Sequence, residues 1–183
     1  MRICILNGNP EENRRHFDDY LGELKENLDL RSHQTSLLDL KQKNIEQCRG
    51  CFACWVKNPG RCIFEDDMEI VCREVINSDL LIFASPVIMG FTSALLKKTQ
   101  DRFIPLILPY IELDQEECHH KKRYHNYPKL GLIIEEEEST DSEDLDIITD
   151  IYKRLALNFK SELVLNTTLA TTGKELANEI DHL

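Results

Sequence analysis

Six consecutive residues constrain the fold most. Asp79-Leu80-Leu81-Ile82-Phe83-Ala84 is apolar at nearly every position after the aspartate. A strand with one wet face alternates apolar and polar residues. An unbroken apolar run is buried on both faces, as in a parallel sheet covered by helices on each side. Residues 2–6 and 129–134 read the same way, as first and fourth strands, with 33–38 as the second and 162–166 as the fifth. Helical spacing fills the gaps. The stretch from Asn13 to about Asn27 sets Phe17, Tyr20, Leu21 and Leu24 on one face. Asp66 is a suitable N-cap for a helix through Ile76, with Asp67 and Glu69 favourable in its first turn. Ser93 opens a helix over Ala94–Phe103, Ser142-Glu143-Asp144 opens one to about Asn158, and 173–181 is the last. Five strands separated by helices predict an α/β, doubly wound single domain over residues 1–183. Two segments break the rhythm: a cysteine loop at about 44–65, and a surface insertion at about 106–127 that reads as a long loop or short hairpin.

Acidic residues number 33 against 22 basic, a formal net charge of −11. An anionic surface repels phosphate backbones, so nucleic acid is not an expected partner. No apolar run reaches membrane-spanning length, and the start has too short an apolar stretch for a signal peptide. Seven cysteines in such a chain point to a reducing cytoplasm, where thiols stay free for metal or redox chemistry.

Four of those cysteines fall within fifteen residues: Cys48, Cys51, Cys54 and Cys62, spaced C-x2-C-x2-C-x7-C. Such a set can hold an iron–sulfur cluster or a zinc ion, or oxidise as pairs. It can also be a metal-free loop that packs. Zinc sites usually present two C-x2-C knuckles with a longer stretch between them, so the compact run resembles a cluster-binding one more closely. Phe52 and Trp55 flank it and read as satellite core, with shielding of a cluster or a flavin edge as the alternative. Cys4 and Cys72 read as packed thiols. His119-His120 beside Cys118 reads as exposed loop rather than a metal site. No Ser/His/Asp arrangement stands out, so a hydrolase is not expected and no catalytic side chain is singled out.

In a doubly wound sheet, ligands sit beyond the carboxyl ends of the strands. The loop after the third strand is Ser85-Pro86-Val87-Ile88-Met89-Gly90. There Pro86 is expected to fix a turn and Gly90 to permit close backbone approach to a flat heterocycle. Together with Ser93-Ala94, Leu96-Lys97 and Asp101-Arg102, this loop resembles the flavin loop of the NADPH-dependent FMN reductase family. The cysteine block, with Pro59-Gly60 and Asp66-Asp67-Met68, resembles the iron–sulfur flavoprotein members of that family.

The resemblance implies a flavodoxin-like sheet of order 2-1-3-4-5 with helices on both faces. It also implies FMN as cofactor, NAD(P)H as electron donor, an unnamed acceptor and a homo-oligomer. FMN would contact Gly8, Asn9, Pro10, Arg14, Arg15, Ser85, Pro86, Val87, Ile88, Met89 and Gly90. Cys48, Cys51, Cys54 and Cys62 would ligate a [4Fe–4S] cluster. The chain also departs from the family. The phosphate loop there resembles G-S-P-R-x-x-G-N-T; here it reads Gly8-Asn9-Pro10-Glu11-Glu12-Asn13-Arg14-Arg15-His16. Glu11 and Glu12 read as a solvated helix start, and Glu135-Glu136-Glu137-Glu138 as a solvated edge. Both runs predict weak FMN retention. The competing expectation is a flavodoxin-fold interaction or subunit-like protein that has lost FMN.

Overall fold

The structure is a computed structural model describing residues 1–114 and 116–183. Strands β1 (Arg2–Asn7), β2 (Gln34–Asp39), β3 (Leu80–Ile88), β7 (Lys129–Glu135) and β8 (Leu163–Thr168) form a parallel sheet of order β2-β1-β3-β7-β8. In order of appearance this is the expected 2-1-3-4-5 order. Period-two alternation divides the core between the two sheet faces. Ile3, Ile5, Leu80, Ile82 and Ala84 pack with helices α1 (Arg15–Leu30) and α6 (Gly173–Ile180). Cys4, Leu6, Leu81 and Phe83 pack with α3 (Met68–Asn77), α4 (Ala94–Gln100) and α5 (Ser142–Asn158). On α1 the buried residues are Phe17, Leu21, Leu24 and Leu28, the helical stripe read from spacing. Each such side chain fully removed from water contributes about 1.5–3 kcal/mol before entropy is counted.

Three boundaries move in ways that matter. The third strand does not end at Ala84: it continues to Ile88, because β7 pairs with it through Ser85↔Ile134 and Pro86↔Glu135. Pro86 therefore lies in the strand and makes no turn. The turn falls at Met89-Gly90, both with positive φ (54° and 76°), and returns to the short antiparallel strand β4 (Phe91–Thr92). Two successive left-handed residues match the twist of a tight hairpin. Helix α4 stops at Gln100, short of Phe103, and a 3-10 segment follows over Asp101–Leu106. The insertion is a hairpin of β5 (Ile107–Asp114) and β6 (Glu117–Lys122), paired antiparallel apart from the main sheet. His119 is buried there, not solvent-exposed as expected. Helix α1 begins at Arg15, two residues later than its pattern suggested, so Asn13 and Arg14 belong to the loop.

No helix among the described residues is long and apolar enough to cross a membrane.

Candidate functional site

Two regions carry the residues singled out from sequence: the cysteine loop, and the loops beyond the carboxyl ends of β1, β3 and β7.

The cysteine loop is held from three directions. Asp67 clasps Asn44, accepting its N–H at 2.8 Å and donating its own to the Asn44 carbonyl at 3.0 Å. Asp66 accepts the Glu46 N–H at 2.9 Å and the Met68 N–H at 3.2 Å. The helix opens at Met68 with Asp67, not the expected Asp66, at its N-cap position and no side-chain cap there, because the Asp66 carboxylate is directed to the loop and to Arg102. The main partner of Asp66 is Arg102, which donates from Nη1 at 2.8 Å and from Nη2 at 3.1 Å while also reaching the Glu46 carbonyl at 2.6 Å. This pair is essentially buried, with side-chain exposures of 1% and 3%. Burial alone would raise the Asp66 pKa. The Arg102 hydrogen bonds outweigh it and hold the carboxyl below its ordinary value. The third anchor is Trp55, which donates to the carbonyls of Ile104 (3.1 Å) and Ile107 (3.0 Å) and packs on the core. Phe52 stacks on Trp55 with centroids 5.2 Å apart but stays about half exposed.

Between these anchors the backbone turns sharply. Gly50 and Phe52 both have positive φ, and the single helical turn α2 (Ala53–Val56) follows. For Phe52, with its Cβ, that conformation is locally unfavourable and must be held by its surroundings. The result places Cys48, Cys51, Cys54 and Cys62 together on the wall of one cavity of about 300 Å³, with Arg49, Phe64 and Arg102. All four thiols are free. Burial pushes the Cys54 thiol up, and charge on Cys62, Cys51 and Cys48 pushes it further. Positive charge lies close by. The Arg49 and Arg102 guanidiniums sit over the Phe64 ring at 4.8 and 5.1 Å. Burial opposes the Arg102 charge, but Asp66 and the adjacent Cys62 sulfur outweigh it. The Arg102 Nε–H is buried without a hydrogen-bond partner.

Among the described residues, no three metal-ligating side chains gather closely enough to hold a metal ion. A cubane differs from a lone zinc ion in spreading its thiolates over several irons. Four thiols around one cavity supply the number of thiolates such a cluster takes, and the two nearby guanidiniums would offset its negative charge. Cys4, buried on β1, lies apart from this set, whereas Cys72, on α3, lines the neighbouring cavity with Cys62 and Arg102; burial pushes each up to about 12. They pack as inert thiols.

The second region is built differently. Gly8 is pressed between β3 and α4. Its N–H donates to the Ala84 carbonyl at 2.8 Å, its carbonyl accepts from Ser93 Oγ, and an added Cβ would lie 2.8 Å from Leu96 Cβ. Asn7 and Asn9 are buried. Their side-chain oxygens take up the loop's own N–H groups: Asn9 N–H to Asn7 at 2.9 Å, and Glu11 N–H to Asn9 at 3.0 Å. Their amides both donate to Asp18, which also pairs with Lys41. Arg14, at the mouth of α1, meets Glu135 at 2.9 Å, Glu11 at 3.3 Å and Glu137 at 3.4 Å. Burial disfavours its charge, yet the bonds to Glu135 and Glu11 raise its pKa overall. Glu135 also contacts His16.

These contacts overturn two readings of the acidic runs. Glu135 is buried and Glu137 half-buried, while Glu136 and Glu138 face solvent. The strand's alternation continues through the run and turns every second carboxylate inward. Glu11 likewise faces Arg14, whereas Glu12 is exposed.

The remaining expected flavin contacts are dispersed in character. Ser85 and Val87 are buried, with Ser85 Oγ accepting the Ser93 N–H at 2.8 Å. Ile88 and Gly90 are partly exposed, while Pro10, Arg15 and Met89 are exposed. An added Cβ at Gly90 would lie 2.8 Å from an Asp144 carboxylate oxygen. A dianionic phosphate does not fit the β1–α1 loop in this form, because its nearest cation is already matched by three carboxylates and two of its N–H groups are occupied.

Spacing gave no sign of the Asp66–Arg102 pair, whose members are 36 residues apart. It also gave no sign of the Arg14–Glu135 pair, 121 apart. The one available signal was continuation of strand alternation into Glu135-Glu136-Glu137.

Comparison with known proteins agrees with this architecture. The NADPH-dependent FMN reductase family pattern matches residues 1–124. An iron-sulfur flavoprotein from Archaeoglobus fulgidus is 28% identical over 102 residues, covering 56% of this chain and 48% of that protein. One from Methanosarcina thermophila is 27% identical over 106 residues, covering 58% and 54%. The matched segments thus span about half the length of these relatives. Among solved structures, an NAD(P)H:quinone oxidoreductase from Methanothermobacter marburgensis aligns with TM-score 0.61 at 19% identity, covering 92% of this chain and 84% of that one. An FMN-dependent NADH-azoreductase from Bacillus anthracis, in complex with FMN, aligns with TM-score 0.62 at 9% identity, covering 98% of each. At such identities these two show the shared flavodoxin-like fold.

Proposed function

We propose that this chain, which belongs to the NADPH-dependent FMN reductase family, is an oxidoreductase that takes reducing equivalents from NAD(P)H and passes them to an electron acceptor. Flavin is handled as a readily exchanged partner rather than a tightly held group. The observation that carries this reading is the gathering of Cys48, Cys51, Cys54 and Cys62 on one cavity wall beside Arg102. If a [4Fe–4S] cluster is bound there, it supplies one-electron carriage. The protein's part is then to shield the sulfurs with Phe52 and Trp55, fix their spacing through Asp66–Arg102, and offset their charge. The names of the matched relatives support a redox role of this kind. Flavin would enter between the β1–α1 loop, including Gly8, Asn9 and Pro10, and the β3–β4 hairpin. A homo-oligomer in the cytoplasm completes the proposal.

The test is to purify the protein anaerobically, record its visible spectrum, and measure NAD(P)H oxidation with added flavin. A sulfur-to-iron absorption shoulder with flavin-dependent NAD(P)H oxidation supports the reading. A colourless protein with no such oxidation contradicts it. A second reading, an interaction or subunit-like protein without cofactor, is favoured by one observation: the full pairing of Arg14 with Glu11, Glu135 and Glu137.

A further inference from the structure

We propose that this chain selects flavin without its phosphate, taking riboflavin in preference to FMN. The inference rests on the reading above that the protein handles a flavin.

The argument begins with what a phosphate needs at a helix mouth: free N–H groups and a net positive field. Helix α1 has no side-chain cap at Arg14, so its first turn offers donors in principle. The preceding loop removes two others. The Asn9 N–H is bonded to Asn7 and the Glu11 N–H to Asn9, both through side chains of buried residues. Asn7 and Asn9 are in turn held by Asp18. Freeing these N–H groups means dismantling that network.

The charges point the same way. Glu135 projects from the end of β7 between Arg14 and His16, where it acts as a built-in anion for both. Glu11 and Glu137 complete the surround, giving three carboxylates to one guanidinium. Arg15, the neighbouring cation, is exposed. An arriving phosphate dianion would therefore have to displace Glu135 from Arg14 and then stand beside it. Riboflavin presents only a neutral hydroxyl at that end. A hydroxyl can donate to a carboxylate, so the same residues that repel FMN can bind the ribityl terminus.

The experiment titrates the protein with riboflavin and with FMN, following quenching of flavin fluorescence at low and high salt. Riboflavin is expected to bind more tightly by about tenfold, close to the fully solvated value for one charge at contact distance. Salt should narrow that gap by strengthening FMN binding, because it screens repulsion. In the Glu135→Gln, Glu137→Gln double variant, FMN should gain about tenfold. Native circular dichroism and a cooperative urea transition report that the double variant is still folded, and a Glu137→Gln single variant, which leaves Glu135 on Arg14, should move FMN in the same direction by less. FMN binding tighter than riboflavin, with affinity falling as salt rises, would overturn the inference while leaving the functional reading intact. Binding of neither flavin would overturn both.

Discussion

The cysteine cavity and the β1–α1 loop stand in contrast. Both follow β-strands, and both were picked out from sequence as cofactor sites. Around the cavity, four thiols remain free, and the supporting hydrogen bonds run between Asp66, Arg102 and the backbone. In the β1–α1 loop the bonds run through the would-be site itself: Asn7 and Asn9 take up two of its N–H groups, and Glu11, Glu135 and Glu137 take up Arg14. Donors left open beside a scaffold indicate a ligand. Donors closed upon one another indicate structure, whatever the sequence resemblance.

The contrast can be broken most sharply at Arg102. Replacing it with Ala leaves Asp66 buried and uncompensated, and the loss should be about 3–5 kcal/mol in urea unfolding. The four thiols should also react faster with an alkylating reagent once their support is gone. A variant that is stable and equally protected would show that the pair does not hold the cavity. The same pair sets a pH dependence. The folded Asp66 carboxyl is held below its ordinary value, so its stabilisation is complete above the unfolded pKa and is lost as pH falls through the lower folded one. Asp66→Asn should flatten the stability profile on the acid side of the ordinary aspartate value of 3.8. An unchanged acid limb would contradict that assignment.

Next in size is Gly8→Ala. The new methyl would press on Leu96 Cβ at 2.8 Å and the Ala84 carbonyl at 3.0 Å. A cost of about 1–3 kcal/mol in thermal or urea unfolding is expected, as for other overpacked sites. No cost would mean that the loop yields easily, which would weaken the case for a closed network. The smallest effect should come from Phe52→Ala. Its ring stacks on Trp55 but is about half exposed, so stability should fall by less than about 1 kcal/mol. A larger loss would make Phe52 part of the core rather than a cover over the cavity.

Much of the framework was readable from residues alone. Leu80–Ala84 could only be a strand buried on both faces, and Phe17, Leu21 and Leu24 could only be one side of a helix. Local patterns carried that information because burial acts on each strand and helix separately. The end of β3 was misread because Pro86 suggests a turn. It is tolerated in the strand near its end, where β7 runs out at Glu135 and a missing N–H costs little. The cysteine block was legible as a unit, since its four members are near neighbours in the chain. The polar network of the β1–α1 loop was not. Whether Glu135 faces water or Arg14 depends on a contact across 121 residues, and no local pattern encodes that.

The most direct test of the account is anaerobic reconstitution with iron and sulfide, followed by iron and sulfide analysis and low-temperature EPR after reduction. The account expects near-stoichiometric cluster in the unmodified protein and its loss in Cys51→Ala. Absence of iron uptake, with Cys48, Cys51, Cys54 and Cys62 all remaining open to alkylation, would contradict it.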